Sequence, residues 1–230
     1  MNRIVVVGLG GVGSWVLQGL APFLNYQSDE YHLTLVDGDE YEPKNHTRQV
    51  FTELGPKADI QAKWIVETFP RLGIKSVPQY ISANGAKDTL SISKVIESGD
   101  VVFSCVDNHK TRRVLAKYCE KLDDIVLISG GCEWTDGNIQ IFMRKDKENL
   151  TATLTKYHPE IEEPKDKAPF EMSCDEAAVS SPQLIFANMT LSTLMLNAFY
   201  SIKEGKFDPE LSETYFDLLE NKTVPRTRVK

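Results

Sequence analysis

The stretch Ile4-Val5-Val6-Val7-Gly8-Leu9-Gly10-Gly11-Val12-Gly13-Ser14 decides how this chain is read. Four β-branched residues in a row suit a strand buried on both faces. The spacing Gly8-x-Gly10-x-x-Gly13 follows at once and leads into an apolar-periodic helix over residues 12–24. Strand, glycine turn and helix in that order let a backbone come close to a phosphate. The glycines permit the tight turn, and the helix start offers unpaired N–H groups and the positive end of a dipole. A second apolar run, residues 32–37, ends in Asp37-Gly38-Asp39. A carboxylate at that strand end can accept hydrogen bonds from ribose hydroxyls. A glycine turn needed only for strand–helix packing would not require the acid that follows.

Outward from this stretch, residues 56–71 have helical spacing, with Ile60, Trp64, Ile65 and Phe69 on one side. Residues 77–81 read as a weaker strand and 92–96 as part of a short helix. Residues 101–105 read as a strand, 111–122 as a helix, and 125–129 as a strand stopped by Gly130-Gly131. Alternating strands and helices predict a Rossmann-like, doubly wound α/β fold with a mainly parallel sheet and right-handed crossovers. The pattern changes after Gly131. Residues 138–143 alternate like an antiparallel edge strand. Residues 144–182 are charged, rich in proline and turn formers, and aperiodic; a loop that long is functional or disordered. Pro182 suits the first turn of a long helix over 183–202. Residues 213–218 read as a last strand, and the basic tail 221–230 as frayed. The expected organisation is a nucleotide-binding domain over 1–143, a crossover loop over 144–182, and a C-terminal helix and strand (183–230) packing on the same domain as an antiparallel extension.

Composition narrows the classes. The chain has 230 residues, 41% of them hydrophobic, which suits one large domain or a domain plus a subdomain. A net charge of −7 argues against nonspecific binding to nucleic acid or an anionic membrane. No apolar run approaches the ~20 residues of a membrane span. The start runs straight into a strand with no basic flank or cleavage site, so no signal peptide is expected. Cys105, Cys119, Cys132 and Cys174 form no Cys-x-x-Cys pair, so a zinc site is not supported. Free thiols in a reducing, cytoplasmic compartment are the plain reading. His32, His46, His109 and His158 lack ligand spacing and read as structural or surface residues.

The glycine spacing does not choose among NAD, FAD and ATP. The residues after it do. Asn45, Arg48 and Gln49 follow Asp37 and Asp39. Arg48 carries a planar fork of donors suited to phosphate. A triphosphate needs such cations and a nicotinamide does not, and no His or Lys/Tyr proton relay supports an oxidoreductase. Asp107-Asn108 follow the strand ending at Cys105. Ligands in open α/β sheets sit off the carboxyl ends of strands, so Asp107 should share a rim with Gly8 and Asp37. A lone carboxylate there suits Mg²⁺, or simply caps the next helix.

On these residues the chain resembles the ThiF/MoeB/HesA family, prokaryotic relatives of ubiquitin-activating enzymes. The matching text is the glycine stretch, Asp37-Gly-Asp39 through Asn45-His-Thr-Arg48-Gln49, Ser-Cys-Val-Asp107-Asn108-His-Lys-Thr-Arg112, and Ser129-Gly-Gly131. It covers residues 3 to about 143. Beyond that, Ser173-Cys174, Gln183, Asn188 and the helix to Tyr200 are similar to ThiF-like proteins of PRTRC plasmid systems.

The resemblance implies an adenylyltransferase that uses MgATP on the C-terminal glycine carboxylate of a ubiquitin-like β-grasp protein. It assigns Gly8, Gly10, Gly11 and Gly13 to the nucleotide loop, Asp37 to the ribose, and Asn45 and Arg48 to the phosphates, with Asp39 and Gln49 also among the nucleotide-binding residues. Asp107 goes to Mg²⁺, with Asn108 and Arg112 beside it. A lysine on the following helix also contacts the phosphates. Lys63 keeps the usual distance to the next strand and is narrowly preferred, while Lys57, in Gly-Pro-Lys-Ala, has the usual neighbours. Arg48, Asp107 and Cys174 are the implied catalytic residues. Cys174, on the crossover loop, is either a thioester acceptor feeding a downstream thiol carrier or an unreactive loop cysteine. A helix start nearby would lower its pKa, and Asp175-Glu176 would raise it. A homodimer is implied too.

Three departures stand out. The paired zinc cysteines are absent. The N-terminal extension that lends an arginine to the neighbouring subunit's ATP is absent too, and Arg3 is a poor substitute. Trp15 follows Ser14, where it either packs on the sheet or narrows the site. Other functions to weigh are a catalytically silent module that keeps the nucleotide fold, and a tRNA-modifying enzyme that adenylates a small acid or base. The acidic charge argues against RNA.

Overall fold

A computed structural model describes residues 2–47, 53–85, 88–171 and 184–230. Arg48, Gln49, Cys174, Pro182 and Gln183 therefore lie outside the described residues. The first half runs β1 (Arg3–Val7), α1 (Gly11–Asn25), β2 (His32–Val36), β3 (Glu40–Tyr41), β4 (Gly55–Pro56), α2 (Lys57–Thr68), β5 (Gly73–Val77), β6 (Ile81–Ser82) and β7 (Leu90–Ser91). The second half runs β8 (Val101–Ser104), α3 (His109–Cys119), β9 (Ile125–Cys132), β10 (Asp136–Lys145), β11 (Glu148–Asn149), α4 (Pro159–Glu162), α5 (Ile185–Lys203), β12 (Glu213–Asp217) and β13 (Lys222–Arg226).

The main sheet has the order β13-β12-β10-β9-β8-β1-β2-β5, with β11 beside β10. The five strands from β5 to β9 are parallel, and β10, β12 and β13 extend the sheet antiparallel. This is the Rossmann-like architecture with an antiparallel extension. The two-residue period of a strand sorts β1 between two cores. Ile4 and Val6 join α1, α2 and α5 on one face, while Val5 and Val7 join α3 and α4 on the other.

Four expectations need correction. The strand expected at 77–81 lies at Gly73–Val77, paired with β2; as a sheet edge it is half-exposed and carries a weak apolar pattern. Gly130-Gly131 does not stop β9, because β10 pairs with both residues and holds them in the ladder. β10 is not an edge, since β12 covers its other side. The tail is not wholly frayed: β13 pairs with β12 as an edge strand whose residues are all exposed, so it has no apolar signature to read. Pro225 is tolerated there because an edge strand can spare an N–H.

One helix among the described residues, α5, is long and apolar enough to cross a membrane, with a mean hydropathy of 1.2, contrary to the sequence expectation. In this fold it is a core helix: Ala187, Leu191, Met195 and Phe199 are buried against α1 and β9.

The tail is pinned beyond β13. Glu213 is 2% exposed. Its carboxylate accepts from His158 Nε2 at 2.7 Å, from Asn138 Nδ2 at 2.8 Å and from Arg228 Nε. Arg228 also lies over the Tyr157 ring, 4.6 Å from its centroid. Burial alone would raise the Glu213 pKa, but the hydrogen bonds from His158 and Arg228 outweigh it and hold it at about 2. Burial works to lower the pKa of His158, yet its bonds to Glu213 and Glu160 leave it above the ordinary 6.5. Glu213 therefore contributes stability that is complete above pH 4.5 and drains as pH falls toward 2. His158 contributes stability that is complete below pH 6.5 and is lost as pH rises through its raised value. Glu213→Gln is expected to cost about 3 kcal/mol in urea unfolding at pH 6 and to flatten the acid limb of the stability profile.

Candidate functional site

The carboxyl ends of β1, β2 and β8 meet at one rim. Gly8 N donates to Val36 O at 2.9 Å, and Cys105 N to Val7 O at 2.8 Å. Gly8 has φ +87°, and a Cβ there would lie 2.8 Å from Cys105 O. A Cβ on Gly13 would lie 1.9 Å from Gly8 O. Both positions therefore need glycine for the turn to close onto the helix start. Gly10 is the N-cap of α1 and Gly11 its first residue, and no side chain caps this end.

Asp37 is buried at the end of β2, 9% exposed. Its two oxygens accept from Leu9 N at 2.5 Å and Asp39 N at 2.8 Å, which ties the glycine loop to the next strand. Burial is the main cause raising its pKa, from 3.8 to about 6; Lys57 pulls it down and Asp39 pushes it up. Lys57 is 5% exposed and donates to Asp39 Oδ2 at 3.0 Å. Its own N–H bonds Asp39 O at 3.0 Å, so the start of α2 is fastened to the same turn. Of the two candidate lysines, Lys57 is the one that lies at this rim. Lys63 is exposed and pairs with Glu53 at 2.7 Å, because six further residues carry it about 9 Å along the helix.

Asn45 is buried and accepts from Glu42 N at 2.9 Å, holding the short helical turn Pro43–Thr47. Asn108, not Asp107, caps α3: its side chain accepts from Thr111 N at 2.8 Å. Asp107 is left exposed on the rim. Arg112 has a structural contact as well. Its Nη2 lies 2.8 Å from both Val106 O and Gly130 O, bracing the ends of β8 and β9, and burial lowers its pKa.

Two participants were missed. The Tyr80 hydroxyl donates to Asp39, and the Tyr80 ring meets Phe170 at 6.3 Å. Asp166 accepts from His109 N at 2.5 Å and Lys110 N at 3.1 Å, at the start of α3. Neither carried a readable signal, since both sit in short or aperiodic segments. Arg3 is at the opposite end of β1, paired with Glu97 and Asp100. Trp15 is partly buried, and its indole N–H has no partner. Cys105 and Cys119 are buried with pKa values pushed up by burial. Cys132 is partly exposed, and burial still pushes its thiol up to about 11. Among the described residues, no group of three or more His, Cys, Asp or Glu could hold a metal ion.

The ThiF family model matches residues 1–229. The chain belongs to the ThiF family. It is 27% identical over 185 residues to the molybdopterin-synthase adenylyltransferase of Escherichia coli, covering 79% of this chain and 66% of that one. It is 30% identical over 133 residues to the tRNA threonylcarbamoyladenosine dehydratase of Haemophilus influenzae, covering 56% and 47%. Its fold matches the crystal structure of E. coli MccB with succinimide at TM-score 0.74, with 17% identity, over 100% of this chain and 64% of that one. MccB has also been crystallised with AMPCPP and MccA. The chain thus spans about half to two thirds of the length of these relatives.

The raised pKa of Asp37 makes the site pH-sensitive. A ligand whose hydroxyls donate to the Asp37 carboxylate should bind more weakly as pH falls through about 6. Calorimetric titration of AMPCPP from pH 8 to pH 5 should show that loss in the wild type and a flat, weak profile in Asp37→Ala.

Proposed function

We propose that this chain is an ATP-dependent adenylyltransferase that activates the C-terminal glycine carboxylate of a ubiquitin-like β-grasp protein. The observation that carries the reading is Lys57: a lysine buried at the nucleotide rim, held against Asp39 and within the field of Asp37. A buried cation beside a glycine loop and a ribose-type carboxylate suits a polyphosphate and has no use in a nicotinamide site. Membership of the ThiF family and the named activity of the molybdopterin-synthase relative support it.

The chemistry is a displacement at the α-phosphorus. A carboxylate oxygen of the substrate forms the new P–O bond, the bond from the α-phosphorus to the bridging oxygen breaks, and pyrophosphate leaves with its electrons. The carboxylate is already ionised, so no general base is needed. The enzyme supplies positioning and charge neutralisation. The α1 N-terminus and Lys57 bind phosphate oxygens, and Asp37 orients the ribose. Exposed Asp107 fits a Mg²⁺ that keeps most of its waters, and such an ion would neutralise charge on the phosphates. Arg48 is assigned to the phosphates by the family resemblance, and Cys174 remains the proposed acyl acceptor. A homodimer acting in the cytoplasm is part of the same reading. The alternative is a silent module of the same fold; it is favoured if ATP gives no thermal stabilisation and Arg48→Ala changes nothing.

The test is pyrophosphate exchange into ATP in the presence of a small β-grasp protein ending in Gly-Gly. Exchange should depend on that protein, fall at least a hundredfold in Lys57→Ala, about what loss of a charged phosphate contact costs, and persist in Lys63→Ala. Equal exchange by the two lysine variants, or none with any cognate small protein, would sink the proposal.

A further inference from the structure

Asn188 is 0% exposed, and neither its amide nitrogen nor its carbonyl oxygen has a hydrogen-bond partner. Its neighbours Ala187 and Leu191 belong to the apolar core. Folded proteins satisfy nearly all buried side-chain amides, so an orphaned one among apolar residues calls for a ligand or a mechanism.

Its place in the fold identifies the ligand. Ser192, one turn later on α5, shares its hydroxyl between Val12 O at 2.8 Å and Asn188 O at 2.7 Å. Leu196, a turn beyond that, lies against Gly19. So α5 runs beside α1 in the same direction, from Val12 to Gly19 and from Ser192 to Leu196. Asn188, about 6 Å ahead of Ser192 along the axis, is then level with the glycine loop that opens α1. Leu191 and Met195 lie over Gly130 at the end of β9, which fixes the same face of the helix at the strand ends. The opening of α1 has its own unmet need, since Gly10 provides no side-chain cap for the first N–H groups. A helix end without a side-chain cap and a buried, unpartnered amide therefore lie at the same end of the two adjacent helices.

We propose that Asn188 is a nucleotide-binding residue, its carboxamide N–H donating to a phosphate oxygen held at the α1 N-terminus. This rests on the ATP reading above. A neutral amide suits the position, because it donates to phosphate without adding a second buried cation beside Lys57. It also predicts a signature that a structural asparagine cannot give: the apo protein carries an unsatisfied polar group that the nucleotide relieves.

The experiment compares wild type, Asn188→Leu and Asn188→Asp by calorimetric titration of MgATP and by thermal unfolding without nucleotide. Leucine fills a similar volume and donates nothing. Its apo Tm should equal or exceed that of wild type, while its Kd for MgATP should rise about tenfold. Should leucine prevent folding, the aspartate variant carries the test, since a carboxylate of the same shape repels phosphate and should weaken MgATP by at least as much. A foldable variant that binds MgATP as tightly as wild type overturns this assignment alone. Wild type that binds no MgATP overturns the nucleotide reading and this assignment with it.

Discussion

The rest of the site depends on one buried carboxylate. Asp37 ends β2 almost without solvent, and its oxygens take the N–H groups of Leu9 and Asp39. That single group joins the glycine loop after β1 to the turn after β2. A charge so placed is costly unless it is hydrogen-bonded and paired. Two backbone donors and the nearby Lys57 supply part of the compensation, and burial still raises the pKa to about 6. On the proposed reading the incompleteness has a use: a ribose offering two more donors would complete the shell, so the ligand would be favoured by the same penalty the fold carries without it.

The same logic recurs around the rim. Arg112 spends its guanidinium on the carbonyls of Val106 and Gly130, joining the ends of β8 and β9. Asp166 reaches from the long connection to the start of α3. Further out, Glu213 gathers His158, Asn138 and Arg228 and so fastens the tail to the segment that opens the long connection. Each of these ties is made by a charged side chain. Asn188 differs from these, because neither polar atom of its buried amide has a hydrogen-bond partner.

The local half of this was legible in the sequence. Ile4 to Val7 followed by spaced glycines is a short-range signal, and strand, turn and helix form where it says. The resemblance to the ThiF family was legible too, in the acids and cations after Asp37, and the family model over residues 1–229 bears it out. What escaped reading depends on partners far along the chain. β10 is interior because β12 covers it, and β13 exists only because β12 offers an edge. The choice between Lys57 and Lys63 turns on where α2 begins. Pro56 sits in the short β4 ladder against Glu40, which delivers Lys57 to Asp39 and sends Lys63 outward. Tyr80 over Gly38 shows the same limit, since no spacing in the sequence foretells that contact.

The claim at the centre is that this glycine fold is tuned to a triphosphate by the charges around Asp37, not to a dinucleotide. Isothermal titration of the wild-type chain with MgATP and, separately, with NAD at pH 7.5 tests it most directly. The expected result is saturable binding of MgATP and no measurable heat with NAD. Binding of NAD as tight as that of MgATP would contradict it.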